Sequence, residues 1–256
     1  MSQNKRATLP WDSEKILALR QFCQKDRELE DIWTWYVLRR ISIYFSLLFC
    51  KLKITPNTIT WVSFLSMLIA GYCMVFASSK AFLLAFLFYN IGFLCDCIDG
   101  EMARIQKKTS NYGYFLDILI QATSIPIYSS IGIALIQLQS GITLSVTYAS
   151  IIYWMMVTAT MSLSIAFALQ LTASKVKEID PVNQIRVKSN LFEWVGFFTG
   201  LPGFFFVLFL LNLIGLWLPD WLERLYMAGF LALFFAKAIV RLKITLGSLG
   251  DQASEN

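Results

Sequence analysis

The chain has 256 residues, of which 57% are hydrophobic and 15% charged, and its formal net charge is +5. Its mean hydropathy of +0.58 lies well above that of soluble globular proteins, and the long apolar runs described below predict an all-α, polytopic membrane protein. The chain contains no histidine, which excludes histidine metal sites, histidine bases and Ser-His-Asp triads. The positive charge does not indicate a nucleic-acid partner, because the basic residues gather in loops between apolar runs.

The N-terminal segment, residues 1–55, is polar at first and then alternates aromatic and basic residues. Over residues 28–52 this pattern predicts an amphipathic helix lying at the membrane interface, with aromatic rings at headgroup level and Arg39 and Arg40 toward anionic lipid. Residues 53–58 interrupt this helix and begin another. Pro56 is expected early in the new helix, with Thr55 or a neighbouring polar residue as its cap.

Six apolar runs follow, each long enough to cross a bilayer core of about 30 Å. Together they predict a transmembrane domain over residues 56–245, followed by a polar tail over 246–256. Pro126 and residues 200–203 interrupt the third and the fifth runs, either to widen a cavity or because membrane helices tolerate Pro and Gly. The predicted spans lie near 58–78, 81–105, 111–138, 142–172, 189–215 and 220–243.

Three carboxylates at or inside the ends of two apolar runs are the most informative residues. Such groups are costly in a membrane protein and indicate function by default. Asp96 and Asp99 are three residues apart and share a helix face, and Asp117 and Gln121 are four apart on the next helix. An oxygen-rich acidic site favours a hard divalent cation such as Mg²⁺, Mn²⁺ or Ca²⁺. Arg104 adds a fixed cation beside it, a combination suited to phosphate.

The same stretch resembles the signature of the CDP-alcohol phosphotransferase family, D-x2-D-G-x2-A-R-x8-G-x3-D-x3-D. Only the last position departs, where Gln121 stands in place of Asp. The resemblance covers roughly residues 53–245 and implies a six-helix membrane enzyme that transfers a substituted phosphate from a CDP-alcohol to an acceptor hydroxyl and releases CMP. Seven of the eight fixed positions are in register: Asp96, Asp99, Gly100, Ala103, Arg104, Gly113 and Asp117.

The resemblance also implies a cofactor and a set of ligand contacts. One or two divalent ions, Mg²⁺ or Mn²⁺, would be held by Asp96, Asp99 and Asp117 and would bridge the pyrophosphate of the donor. Gly100 and Ala103 have little or no side chain, so the nucleotide could pack against the helix there. Family members commonly form homodimers, and a bacterial or archaeal inner membrane is the expected location.

A second basic group lies in the loop over residues 174–190. Arg186 and Lys188 resemble a [GR]-x-K-T phrase that family members carry before the fifth helix, where it is thought to bind a phosphate of donor or acceptor. They also abut a predicted helix N-terminus, which attracts anions. Ordinary positive charge on a cytoplasmic loop explains them equally well. Arg104 is expected to hold the pyrophosphate or the cytidine end of the donor.

The positive-inside rule gives the orientation of the chain. Nineteen of the twenty-two basic residues fall on one side of the six predicted spans. That side is predicted to be cytoplasmic, with both termini and the acidic cluster facing the cytoplasm, where soluble nucleotides are found.

Gln121 raises a chemical question, because the family Asp at this position is assigned as the general base for the acceptor. A glutamine cannot take a proton at ordinary pH and only orients or hydrogen-bonds a ligand. Another group or a metal-bound hydroxide could replace it, the protein could be a decayed relative, the residue could be engineered, or the acceptor could need no base. The last alternative predicts transfer of a phospho-sugar or phospho-polyol to a polyprenyl phosphate, which is already an anion.

Two other classes of function fit parts of the pattern. Intramembrane carboxylates also mark cation pathways in transporters. However, the acidic cluster lies near one face, and the six runs show no internal repeat of the kind that transporters carry. A non-catalytic subunit that binds metal and nucleotide would explain Gln121 as the mark of a decayed enzyme.

Overall fold

The computed structural model describes residues 7–27, 30–108, 111–139, 145–173, 190–214 and 221–254, and the side chains of some helix ends lie outside this description. The described residues are mostly helical and contain no strand, as the apolar runs predict. The helices in chain order are α1 Glu14–Cys23, α2 Arg39–Lys51, α3 Pro56–Met74, α4 Ser79–Ile105, α5 Asn111–Ala122, α6 Ser124–Leu138, α7 Val146–Ala173, α8 Asn190–Phe198, α9 Leu201–Ile214 and α10 Trp221–Ser254. A π-helical turn, Thr34–Leu38, runs directly into α2.

Four stretches of the described chain are long and apolar enough to cross a membrane: Pro56–Met74, Ser79–Ile105, Gly113–Leu138 and Val146–Ile165. They correspond to the first four predicted spans, and the third joins α5 and α6. The fifth predicted span contains α9, which is apolar but only 14 residues long. The sixth corresponds to α10, which carries Glu223, Arg224 and Lys237 within its first turns and middle. The fifth and sixth spans therefore stay predictions.

The most extensive helix pair is α3 with α4, which carries the acidic motif. The pair begins at well-formed caps: Thr55 accepts a hydrogen bond from the Thr58 amide with Pro56 as first helical residue, and Ser78 caps α4. At the crossing, the Ser63 hydroxyl donates to the Gly92 carbonyl at 2.8 Å. A Cβ on Gly92 would lie 3.1 Å from the backbone carbonyl oxygen of Ser63, so the small residue lets the two backbones approach closely.

Two interruptions divide the longer apolar runs where the sequence predicts them. Pro126 has no amide hydrogen, so the Ala122 carbonyl loses its helical partner and the run breaks at Thr123, between α5 and α6. The second break, at Thr199 and Gly200, separates α8 from α9, and Gly203 follows in the first turn of α9. A Cβ at that position would meet the Phe197 carbonyl oxygen at 2.2 Å, so the close turn depends on glycine. Both breaks bring short helices against the buried face of α4 and α3.

The main core lies between α3, α4, α6, α9 and α10. Phe82, Phe204 and Phe205 are buried in it, and the Phe205 ring stacks on Tyr89 with centroids 4.4 Å apart. A second cluster joins α3, α5, α6 and α7, where the Tyr153 hydroxyl donates to the Leu68 carbonyl at 2.6 Å. Together these contacts fix α4 and α5, the two helices that carry the predicted site.

Helix α2 turns its polar side inward and its apolar side outward. Arg39 is 4% exposed and forms a salt bridge with Glu101 on α4. The prediction that Arg39 faces anionic lipid is therefore wrong, because a buried carboxylate supplies its counter-charge. The outward face is apolar and exposed, at spacings of one helical turn, and its residues are Val37, Ile41, Phe45, Leu48 and Leu52. This outward stripe is the surface that an interfacial helix needs, and its location at a bilayer stays a prediction.

The five cysteines are all free thiols. Cys23, Cys95 and Cys97 are buried, and Cys50 and Cys73 are partly buried. Burial rather than pairing thus explains their presence.

The packing of residues 7–27 against the rest of the fold should weaken as the pH falls. Asp12 accepts hydrogen bonds from the Tyr44 hydroxyl, the Leu9 amide and the Arg20 guanidinium. Burial raises the pKa of Asp12, but these hydrogen bonds outweigh it, so the net pKa lies below the ordinary value. A depressed carboxyl pKa stabilises the fold above the unfolded pKa of about 3.9, and this contribution is lost as the pH falls through the folded pKa.

We therefore expect hydrogen exchange of residues 7–27 to accelerate below about pH 4 relative to that of α4. The measurement is peptide-resolved exchange between pH 6 and 3. Asp12→Asn should exchange faster at pH 6 and lose much of the pH dependence. A wild-type segment that stays equally protected across this range would contradict the assignment.

Candidate active site

The C-terminal third of α4 presents the first two carboxylates of the motif. Asp96 and Asp99 are partly buried, one turn apart on the same helix. The Thr60 hydroxyl of α3 lies near Asp99 and donates to the Pro56 carbonyl at 3.0 Å. The close α3–α4 pairing thus places a hydroxyl beside a carboxylate that the sequence marks as a metal ligand.

The third carboxylate comes from α5. Asp117 is exposed, and its charge acts on both Asp96 and Asp99. The structure therefore brings the three predicted carboxylates into one electrostatic group across the connection between α4 and α5. Among the described residues none of the three forms a salt bridge. Adjacent like charges without paired cations are a natural site for a divalent ion.

The donor chemistry fits Mg²⁺ or Mn²⁺, since these ions prefer carboxylate and hydroxyl oxygens. The separation of the side chains is wider than a closed metal site requires. Within the described part of the chain, no three His, Cys, Asp or Glu side chains are close enough together to hold an ion.

The remaining motif residues on α4 form a small, open surface beside the carboxylates. A Cβ on Gly100 would meet only the Arg104 guanidinium, at 3.7 Å, so the helix surface is accessible to a flat ligand there. Ala103 is partly buried on the same side. Arg104 folds back along α4, donates to the Cys23 carbonyl and acts electrostatically on Asp117.

The remaining predicted site residues are Gln121, Arg186 and Lys188. Gln121 is exposed on α5, one turn after Asp117, and its backbone carbonyl accepts a hydrogen bond from Ser124 at 2.8 Å. Arg186 and Lys188 lie outside the described residues, so their proximity to the acidic group stays a prediction.

Sequence reasoning missed three residues that the structure associates with the site. Thr60 reaches Asp99 from α3. Glu101, inside the motif, is completely buried and turns toward α2. Lys25, two residues after the end of α1, acts electrostatically on Asp96 and Asp117. The only local signal was the presence of Glu101 within an apolar helix, because the other two depend on contacts between distant parts of the chain.

Comparison with known proteins identifies the architecture. The CDP-alcohol phosphatidyltransferase family matches residues 53–236, which include α3, α4 and α5 and every motif carboxylate. The chain belongs to the CDP-alcohol phosphatidyltransferase family. The resemblance carried by the motif is therefore confirmed, and the four apolar helices together with this family indicate an integral membrane protein.

Two archaeal relatives are similar over part of the chain. One is the "Bifunctional IPC transferase and DIPP synthase" of Thermococcus kodakarensis, 37% identical over 82 residues, which are 32% of this chain and 18% of the relative. The other is the "Archaetidylinositol phosphate synthase" of Pyrococcus horikoshii, 36% identical over 74 residues, which are 29% of this chain and 38% of the relative. The matched region thus covers less than two fifths of either relative. Both names describe transferases or synthases.

Proposed function

We propose that this chain is a metal-dependent membrane transferase that moves a substituted phosphate from a CDP-alcohol to an acceptor alcohol and releases CMP. The observation that carries the proposal is the grouping of Asp96, Asp99 and Asp117 across α4 and α5, at the spacing of the family motif. The product would be a phospholipid or a polyol phosphodiester. The names of the two archaeal relatives support a lipid product.

The reaction exchanges one phosphorus–oxygen bond for another. The acceptor oxygen attacks the phosphorus that carries the alcohol, and the bond from that phosphorus to the bridging oxygen breaks. The bridging oxygen leaves with CMP, and the acceptor proton passes to a base or to water. Because the diphosphate is highly charged, the main task of the protein is to neutralise it and to align the two oxygens.

The residues of the site are suited to that task. Asp96, Asp99 and Asp117 would hold one or two Mg²⁺ or Mn²⁺ ions. A bound ion supplies Lewis-acid stabilisation of the leaving phosphate. Arg104 offers guanidinium donors next to the same group, and the open helix surface at Gly100 accommodates the nucleotide. The thiols nearby are buried and take no part.

Gln121 determines how the acceptor is activated. Its amide can donate to or accept from an acceptor oxygen but cannot remove a proton. With a hydroxyl acceptor, the proton must go to another group or directly to solvent, which the exposed position of Gln121 allows. Glutamine in this position is therefore compatible with slow transfer to an alcohol.

The same residue favours a second candidate function, transfer of a phospho-sugar or phospho-polyol from a nucleotide-diphosphate donor to a polyprenyl phosphate. A phosphate acceptor is already an anion and needs no general base. The metal ligands and Arg104 would serve both reactions equally. The identity of the acceptor is thus the point that an experiment must determine.

The first test is CMP release by the purified protein with Mg²⁺ or Mn²⁺, using a panel of CDP-alcohols with alcohol acceptors. We expect release by the wild type, and an increase of about 10²-fold or more in Gln121→Asp if proton removal limits the rate. A parallel panel supplies polyprenyl phosphate with several nucleotide-diphosphate donors. A pyrophosphate-linked lipid formed without CMP release from alcohols would favour the second function. No product with any donor, from either the wild type or Gln121→Asp, would contradict both candidate functions.

The surroundings of the site complete the proposal. The basic residues on one side of the predicted spans support a cytoplasmic active site in a bacterial or archaeal inner membrane. Arg186 and Lys188 are proposed to bind a phosphate of the donor or the acceptor. A homodimer would cover part of the apolar surface of the transmembrane helices, and lipid would cover the rest.

A further inference from the structure

The carboxylate of Glu101 is the centre of a buried polar cluster that connects the N-terminal segment to α4. Its side chain is 0% exposed. One oxygen accepts hydrogen bonds from Gln24 at 2.9 Å, Arg39 at 3.1 Å and Ser42 at 2.6 Å, and the other accepts from Ser46 at 2.7 Å. A buried charge with this many donors is fully satisfied, so it fixes its partners firmly.

The cluster extends beyond Glu101 through two arginines. Arg39 also binds Glu30 at 2.7 Å and the Cys97 carbonyl at 3.1 Å. Arg20, which is completely buried, donates to the Arg39 and Arg40 carbonyls at 2.7 and 2.8 Å. Residues of α1, α2 and the intervening segment are therefore held together on the side of α4 that lies opposite Asp99. Two helical positions place Glu101 roughly 160° from Asp99 around the axis.

The segment between α1 and α2 is attached to the active-site motif at two successive residues. Gln24 donates to Glu101 and to the Arg39 carbonyl, and the Cys23 carbonyl accepts from Arg104. The next residue, Lys25, is exposed, and its charge acts on Asp96 and Asp117. The backbone that carries Lys25 is thus anchored to α4 through Cys23 and Gln24, and the Lys25 charge is close enough to act on the acidic group.

We propose that the segment Cys23–Lys25 is a wall of the donor site, in which Glu101 is a positioning residue and Lys25 binds the diphosphate of a nucleoside diphosphate. This inference rests on the proposed function and adds two residues to it. Glu101 acts through Gln24 and Arg104 and touches no substrate. Lys25 supplies a mobile cation that balances the acidic group while the site is empty and contacts the phosphates when the donor is bound.

The ligand-binding part is tested with CDP and Mn²⁺ on the purified full-length protein. We expect Lys25→Met to raise the CDP dissociation constant about tenfold, the equivalent of one lost charge-assisted hydrogen bond. Lys25→Arg should restore most of the affinity. The matched control is Lys15→Met, an exposed lysine of α1, which should bind as the wild type does. Equal affinity of Lys25→Met and the wild type, or no CDP binding by the wild type, would overturn this role.

The anchoring part is tested without turnover, by maleimide labelling of Cys23 measured on its own peptide. Cys23 is 0% exposed against Arg104, so the wild type should be protected. We expect Glu101→Gln to label at least about tenfold faster, because an uncharged amide no longer balances Arg39. Ser46→Ala and Gln24→Ala remove single donors and should label at intermediate rates, even if Glu101→Gln fails to fold. Unchanged protection in all the variants that fold would overturn the anchoring.

Kinetics then separate this inference from the proposed function. Glu101→Gln and Lys25→Met should raise the KM for the CDP-alcohol about tenfold and change kcat by less than about threefold. A loss confined to kcat would contradict a binding wall. A wild type that releases no CMP would overturn the proposed transfer, whereas the Cys23 labelling would still decide whether Glu101 anchors the segment.

Discussion

Asp99→Asn is expected to lower CMP release at least about a hundredfold while the protein stays folded. Asn has nearly the same shape as Asp and keeps an oxygen that can face Thr60, so the packing of α3 against α4 is retained. It lacks the negative charge that a divalent ion requires. Because Asp96 and Asp117 repel Asp99, removing one charge should leave the apparent Tm unchanged or slightly higher.

The measurement combines initial rates over a range of Mn²⁺ concentrations with a thermal unfolding scan in the same detergent. Asp117→Asn should behave similarly, with a stronger dependence on metal concentration, because Asp117 is exposed on a separate helix. Glu14→Gln, an exposed acidic residue of α1, is the charge-matched control. More than a tenth of the wild-type rate in Asp99→Asn would contradict a metal-ligand role. The polyprenyl phosphate reaction should be lost in parallel, so this variant tests the site and not the acceptor.

Gly203→Ala is expected to have the largest effect on stability. The added Cβ would lie 2.2 Å from the Phe197 carbonyl oxygen and 2.9 Å from the Phe198 Cα. Both are backbone atoms, so no rotation of a side chain relieves the clash. The turn between α8 and α9 must open, which displaces Phe204 and Phe205 from the main core. We expect a loss of about 3 kcal/mol or more in the free energy of unfolding.

Such a loss corresponds to a fall of roughly 10 °C in apparent Tm for a chain of this size. Gly229→Ala is the matched control, because nothing lies within 4 Å of a Cβ at that position on α10. It should unfold at the wild-type temperature or slightly above, since alanine favours a helix. Equal apparent Tm values for the two variants would show that the turn is looser than the structure indicates.

The motif and the first membrane helices could be predicted because their signals are local. Asp96, Asp99 and Asp117 are identified by spacing along the chain, and the α5–α6 break by a proline whose missing amide acts on the preceding turn. The Thr55 cap likewise depends on three consecutive residues. The cap and the break are determined by neighbours within about one helical turn, and the motif is a fixed spacing along the chain, so no knowledge of the fold is needed.

The packing of α2 could not be predicted for the opposite reason. Arg39 and Glu101 are 62 residues apart in sequence, and nothing in the sequence near either residue indicates that the two interact. An arginine in an aromatic, basic stretch has the same local pattern whether it faces lipid headgroups or a buried carboxylate. Thr60 and Lys25 are further contacts of this kind, because their relation to the acidic group depends on how α3 and the N-terminal segment pack on α4.

The inverted polarity of α2 has a consequence for how the protein is made. Arg39 is synthesised before its partner, and it remains without Glu101 until α3 and α4 have been inserted into the membrane. During that interval its charge must stay in water or among headgroups, while the apolar stripe of α2 already favours the bilayer surface. The segment therefore closes onto α4 as a late step of assembly, although it is synthesised before α4.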